Sequence, residues 1–215
     1  MKEIYLFSGL GADYRAFEKL DFSNFNTIHI NWIVPDKAES MESYAYRISN
    51  QIKSDNPILI GLSFGGIIAI EVSKHIKTEK IILLASAKTK LEIPFYYKLA
   101  GKLQLHKLIP AKIFKSANFL SYWFFGIYDK SEKLLLKNIL EDTDASFLKW
   151  ALNEIVNWKN IKVDDNVIHI HGSSDRILPI KYINADFKIK NGGHFMTLNK
   201  NIELSNLIKK LICNL

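Results

Sequence analysis

The chain has 215 residues, 48% hydrophobic and 24% charged, which is the balance of a globular domain large enough to bury a core. Its single cysteine, Cys213, excludes an internal disulfide and argues against a cysteine-rich metal site, so a reducing, cytoplasmic setting is expected. The formal charge of +7 admits attraction to anionic substrates or surfaces, but no nucleic-acid motif accompanies it, and it is read as lysine-rich solvated faces with no nucleic-acid partner. No stretch approaches the roughly 20 apolar residues of a membrane span. The apolar run near Met1 is too short for a signal peptide and is interrupted by Gly9 and Gly11.

In chain order, Ile4–Phe7 is a short β-prone run that ends in Ser8-Gly9-Leu10-Gly11. A helix is expected next, with Asp13 near its start and Phe17 and Leu20 on its apolar face. Thr27–Ile30 is the next strand candidate. Ser40 is placed to cap a helix in which Tyr44, Ile48 and Ile52 recur every four residues, and Asp55-Asn56-Pro57 breaks it. Ile58–Ile60 then enters Gly61-Leu62-Ser63-Phe64-Gly65-Gly66, and a second apolar run leaves it. This reads as a buried strand, a very tight turn and a helix packed back onto the sheet. At the apex Ser63 is forced into a strained backbone with its hydroxyl turned away from the core, and Gly61 and Gly65 are small because helix and strand approach closely. Lys80–Leu84 is a fourth buried strand. Strands alternating with helices at this spacing imply an α/β fold with a doubly wound, mainly parallel sheet of about six strands.

The alternation stops near Lys88. From there to about Asn160 the pattern is helical, aromatic and basic, and Pro94, Pro110 and Gly126 divide it into three or four short helices. It resumes with Val167–Ile170, the short run Phe187–Ile189 and a final helix over Asn201–Cys213. The expected organisation is an α/β core of residues 1–87 and 161–215 carrying a helical insertion, 88–160.

Two further sites fall just past predicted strands. His171-Gly172-Ser173-Ser174-Asp175 follows the first of these runs, and Asn191-Gly192-Gly193-His194 follows the second. The C-terminal ends of parallel strands share one edge of the sheet, so Ser63, Asp175 and His194 can converge there. A serine hydroxyl needs a base to become a nucleophile, and an imidazole needs a carboxylate to fix its tautomer. Ser63, His194 and Asp175 supply the three in the order Ser, Asp, His. His171 precedes the acid and is read as structural. His29, His75, His106 and His169 lack metal-ligand spacing, so no metal or other cofactor is expected. Asp164 and Asp165 come before their strand and are poor candidates for the acid.

These residues bring out a resemblance to the α/β-hydrolase superfamily over nearly the whole chain. Gly61–Gly66 looks like its nucleophile elbow, His171-Gly172 with Asp175 and Pro179 like its acid loop, and Gly193-His194-Phe195 like its histidine loop. Ser8-Gly9-Leu10-Gly11 occupies the place of its oxyanion loop, with Ser8 where a histidine is usual, which removes one usual support. The resemblance implies the fold without the extra N-terminal strands of fuller members, an oxyanion hole from the Leu10 and Phe64 N–H groups, and a helical cap over 88–160. It also implies a bacterial-type serine hydrolase acting on a carboxylic ester or thioester.

Within the insertion, Phe95, Tyr96, Tyr97, Phe114, Phe119, Tyr122, Trp123, Phe124 and Phe125 alternate with Lys98, Lys102, Lys107, Lys112 and Lys115. Most are read as cap packing. Phe119–Phe125 is too aromatic to be exposed without purpose. An apolar pocket for a lipophilic acyl group is the functional reading, and weak contact with a membrane surface stays open. Two other classes also remain at this level: a non-hydrolytic, lyase-type enzyme on the same scaffold, and a ligand-binding module that keeps the three residues without catalysis.

Overall fold

The computed structural model describes residues 2–104, 113 and 115–213; His106, Lys107, Pro110, Lys112 and Phe114 lie outside the described residues. Six strands make one sheet among the described residues: β1 (Glu3–Phe7), β2 (Asn26–His29), β3 (Ile58–Leu62), β4 (Lys80–Leu84), β5 (Val167–Gly172) and β6 (Phe187–Ile189). Their order is β2-β1-β3-β4-β5-β6, and all the ladders are parallel. The doubly wound α/β expectation holds.

Near-continuous Ile and Leu in β3 and β4 follow from burial on both faces. Alternate side chains leave the sheet on opposite sides. Ile58, Ile60, Ile82, Leu84 and Ile170 enter one core cluster, and Leu59, Ile81, Leu83 and Val167 enter the other. Helices α1 (Met41–Ser49) and α2 (Phe64–Ser73) cover the second cluster, while α7 (Met196–Asn199) and α8 (Asn201–Cys213) cover the first.

Local chemistry sets the helix limits. The Ser40 hydroxyl caps α1 by accepting from the Ser43 N–H (3.2 Å). Ile52 lies beyond the helix, where the Ile52 N–H bonds the Ser49 carbonyl and tightens the chain into a turn. The helix expected after Gly11 is instead one 3-10 turn, Tyr14–Phe17. Asp13 both caps it and grips the Arg15 guanidinium, and the following bonds run three residues back, from Glu18 to Arg15 and from Leu20 to Phe17. Phe17 and Leu20 are buried as expected.

Between β4 and β5 the described helices are α3 (Phe95–Lys102), α4 (Phe119–Phe125), α5 (Lys130–Asp142) and α6 (Ala145–Asn157). Pro94 starts α3, and Gly126, in left-handed conformation, ends α4. The last two are longer than the sequence suggests, 13 residues each, because Asp129 and Asp144 cap them and both have a core to meet. Leu136, Ile139 and Leu140 of α5 join the first cluster, and Phe147 and Ala151 of α6 join the second. No helix among the described residues is long and apolar enough to cross a membrane.

Candidate active site

Ser63 stands between β3 and α2 with φ 53° and ψ −121°, a conformation L-residues avoid. Its neighbours hold it there. The Ser63 N–H donates to the Leu84 carbonyl (2.9 Å), and the Ser63 carbonyl accepts from the Ser86 hydroxyl (2.6 Å) and the Gly66 N–H (3.0 Å). Gly65 is required by the close approach to the end of β1: a Cβ there would lie 2.2 Å from the Phe7 carbonyl oxygen. Phe64 is buried in a cage of Trp32, Phe147 and Trp150, with ring centroids 5.6–6.1 Å from its own.

Asp175 lies just past β5 and His194 past β6, both nearly buried. The parallel topology brings the three predicted residues together at one edge. His194 Nε2 is 2.8 Å from Ser63 Oγ, and His194 Nδ1 is 2.7 Å from Asp175 Oδ2. An ionised carboxylate only accepts, so Nδ1 carries the proton and Nε2 is the acceptor that faces the serine hydroxyl. Asp175 Oδ1 accepts from the N–H groups of Ile177 (2.8 Å) and Leu178 (2.9 Å), which locks the carboxylate plane.

Behind the acid lies a histidine pair, His169 and His171, the second read from the sequence as structural. His171 is fully buried; its Nε2 donates to the Leu178 carbonyl (2.8 Å) and lies 3.4 Å from Asp175 Oδ2. His171 Nδ1 faces His169 Nε2 at 3.1 Å. Burial pushes the pKa of both histidines down, His169 well below the ordinary imidazole range. They are neutral spacers that fix the acid loop.

The loop after β1 runs beside Ser63, with Leu10 next to Gly9, where an added Cβ would sit 3.7 Å from Ser63 Cβ. Among the described residues, neither the Leu10 N–H nor the Phe64 N–H donates a hydrogen bond. Ser8 supports this loop although it is not a histidine: its hydroxyl donates to the Ala12 carbonyl (2.6 Å), joined by the Trp32 indole N–H (3.0 Å). No local pattern marks Trp32 for that role.

On the open side, α4 leans on the histidine loop. Phe125 meets the His194 ring edge-on at 5.9 Å, and its carbonyl accepts from the Phe195 N–H (3.1 Å). Arg176 donates to the Trp123 carbonyl (2.7 Å) and stacks over the Trp123 ring at 4.4 Å. Otherwise α4 buries no residue, and Phe119 is 82% exposed. Among the described residues no three His, Cys, Asp or Glu side chains gather as a metal-binding group.

No protein-family model and no curated protein sequence matches the chain. Solved structures do. A hydrolase from Pseudomonas aeruginosa PA01 superposes with a TM-score of 0.74 at 11% identity, covering 98% of this chain and 89% of that one. A thermophilic esterase from Thermogutta terrifontis gives 0.70 at 13% identity, covering 100% and 90%. The esterase EaEST from Exiguobacterium antarcticum gives 0.69 at 18% identity, covering 98% and 92%. Identities this low carry architecture, and the parallel six-stranded order with its turn at Ser63 agrees with them: the chain has the α/β-hydrolase fold.

Proposed function

We propose that this chain is a serine hydrolase acting on a carboxylic ester or thioester through an acyl-serine intermediate. The observation that carries the reading is the unbroken path from Ser63 Oγ through His194 to Asp175, at 2.8 and 2.7 Å. Ser63 Oγ attacks the acyl carbon while His194 Nε2 takes its proton. The Leu10 and Phe64 N–H groups receive the charge that develops on the carbonyl oxygen. His194 then returns the proton to the leaving alcohol or thiol. Water, activated by the same imidazole, releases the acid and frees Ser63. Asp175 keeps the imidazole in the required tautomer and stabilises its charged form. No cofactor takes part in these steps.

The helical segment 88–160 is the cap in this reading, with α4 as the part that borders the acyl site. The exposed aromatics of α4 and its contact with His194 favour a lipophilic acyl group.

The test is labelling with an alkyl fluorophosphonate, read by intact mass and peptide mapping. One adduct on Ser63, absent in His194→Ala, is expected, together with turnover of p-nitrophenyl esters that Ser63→Ala abolishes without loss of fold. Wild-type-like hydrolysis by Ser63→Ala would sink the assignment. A folded chain that takes no label would favour a ligand-binding module, and a labelled serine with no acyl release across an ester and thioester panel would favour non-hydrolytic chemistry.

A further inference from the structure

The loop after β1 closes as a turn in which the Ala12 N–H donates to the Gly9 carbonyl (3.0 Å), with Gly11 in left-handed conformation at φ 67°. The Gly9 carbonyl and the Leu10 N–H belong to one planar trans peptide, so holding the oxygen aims the N–H the opposite way. The N–H that does the holding belongs in turn to the Gly11–Ala12 peptide. The oxygen of that second peptide faces Thr143, whose Oγ1 lies 2.9 Å away.

Thr143 is the residue at the C-terminal end of α5, far along the chain, and it is only 4% exposed. Its methyl presses on Gly11 so closely that a Cβ there would be 2.2 Å from Thr143 Cγ2. The hydroxyl has one proton and a second carbonyl in reach, Ile139 at 2.8 Å, and shares it between the two. Beside it, Arg15 Nη2 bridges Asp13 (2.7 Å) and Asp142 (2.6 Å), a second tie between the loop and the end of α5.

We propose that Thr143 is a positioning residue for the oxyanion site. Its hydroxyl starts a chain of hydrogen bonds that passes through the Gly11–Ala12 peptide and the Gly9–Leu10 peptide and ends at the Leu10 N–H. Each peptide polarises the next and fixes its plane. The segment inserted between β4 and β5 thus sets a donor that belongs to the loop after β1. The inference rests on the reading of Leu10 as an oxyanion donor.

Thr143→Val keeps the shape and methyl contact but removes the proton; Thr143→Ser keeps the proton. With p-nitrophenyl acetate and butyrate, Thr143→Val should lose about 10-fold in kcat with KM little changed, less than the ~10²–10³ typical of deleting a donor outright. Thr143→Ser should stay within about 3-fold of wild type, and the pH profile of kcat/KM should not move in either variant. Affinity for a trifluoromethyl ketone, whose adduct carries the oxyanion, should fall in step with kcat/KM. Should Thr143→Val not fold, Thr143→Ala against Thr143→Ser makes the same comparison. Equal activity in the variants with and without the hydroxyl overturns the proposal. If the wild-type chain is inert towards both esters and towards fluorophosphonate, the hydrolase reading fails and takes this one with it. An active wild type matched by Thr143→Val removes this one alone.

Discussion

At the scale of the residue, the candidate site was legible wherever chemistry is written in local spacing. Ser63 sits between two glycines at a strand end, and Asp175 and His194 each follow a short apolar run. The supports were not legible. Trp32 and Thr143 act through contacts that cross the chain, and a single tryptophan or threonine carries no local mark of its partner. The strained serine also has a measurable cost. Ser63→Gly and Ser63→Ala both remove the hydroxyl, but only glycine relaxes at φ 53°. Ser63→Gly should therefore be the more stable of the two, by about 1 kcal/mol after the extra freedom of glycine in the unfolded chain is counted. Urea midpoints of the two variants check this, and equal midpoints would mean that Ser86, Leu84 and Gly66 impose no strain there.

At the scale of the element, the central strands were read well because burial on both faces writes continuous apolar runs, and β4 and β6 have the limits the sequence suggests. Helices were read less well. The segment around Tyr14 has the apolar spacing of a helix, yet Asp13 and Arg15 draw it into a 3-10 turn. In the insertion, composition could not separate the helices that complete the core from those that lie on it. Both kinds are rich in aromatic and aliphatic residues, and only packing shows that α5 and α6 belong to the first kind. Helix α4 belongs to the second, and Arg176 is one of its few fastenings. Arg176→Ala removes two hydrogen bonds and a cation–π contact. Global stability should change by no more than about 1 kcal/mol, since these contacts are exposed. Amide exchange across Phe119–Phe125 should nevertheless rise clearly. Unchanged exchange would show that Phe125 and its neighbours hold the helix alone.

At the scale of the molecule, charge and burial set a dependence on pH. His29, His169 and His171 all have pKa values lowered by burial from 6.5. The unfolded chain binds protons at these sites before the folded chain does, so their contribution is complete above about pH 6.5 and is lost as pH falls below it. Asp13 faces His29, Lys88 faces His169, and Asp175 and His194 face His171, and none reverses the sign. Glu92, raised from 4.5 by burial, works in the opposite direction nearer its own range. Denaturant midpoints should fall between pH 7 and pH 5.5, and His169→Gln should flatten the slope; a flat wild-type profile would contradict the neutral, buried pair.

The strand order has one more consequence. β4 and β5 are neighbours in the sheet but are separated in sequence by the whole inserted segment, and Asp175 and His194 both come after it. A chain emerging from the ribosome makes Ser63, its turn and four strands long before β5 exists. Until then β4 presents an unpaired edge that is apolar from Ile81 to Leu84, the kind of surface that other nascent chains adhere to. Ser63 can therefore meet His194 only after β5 and β6 have been made, and the appearance of that contact times their docking.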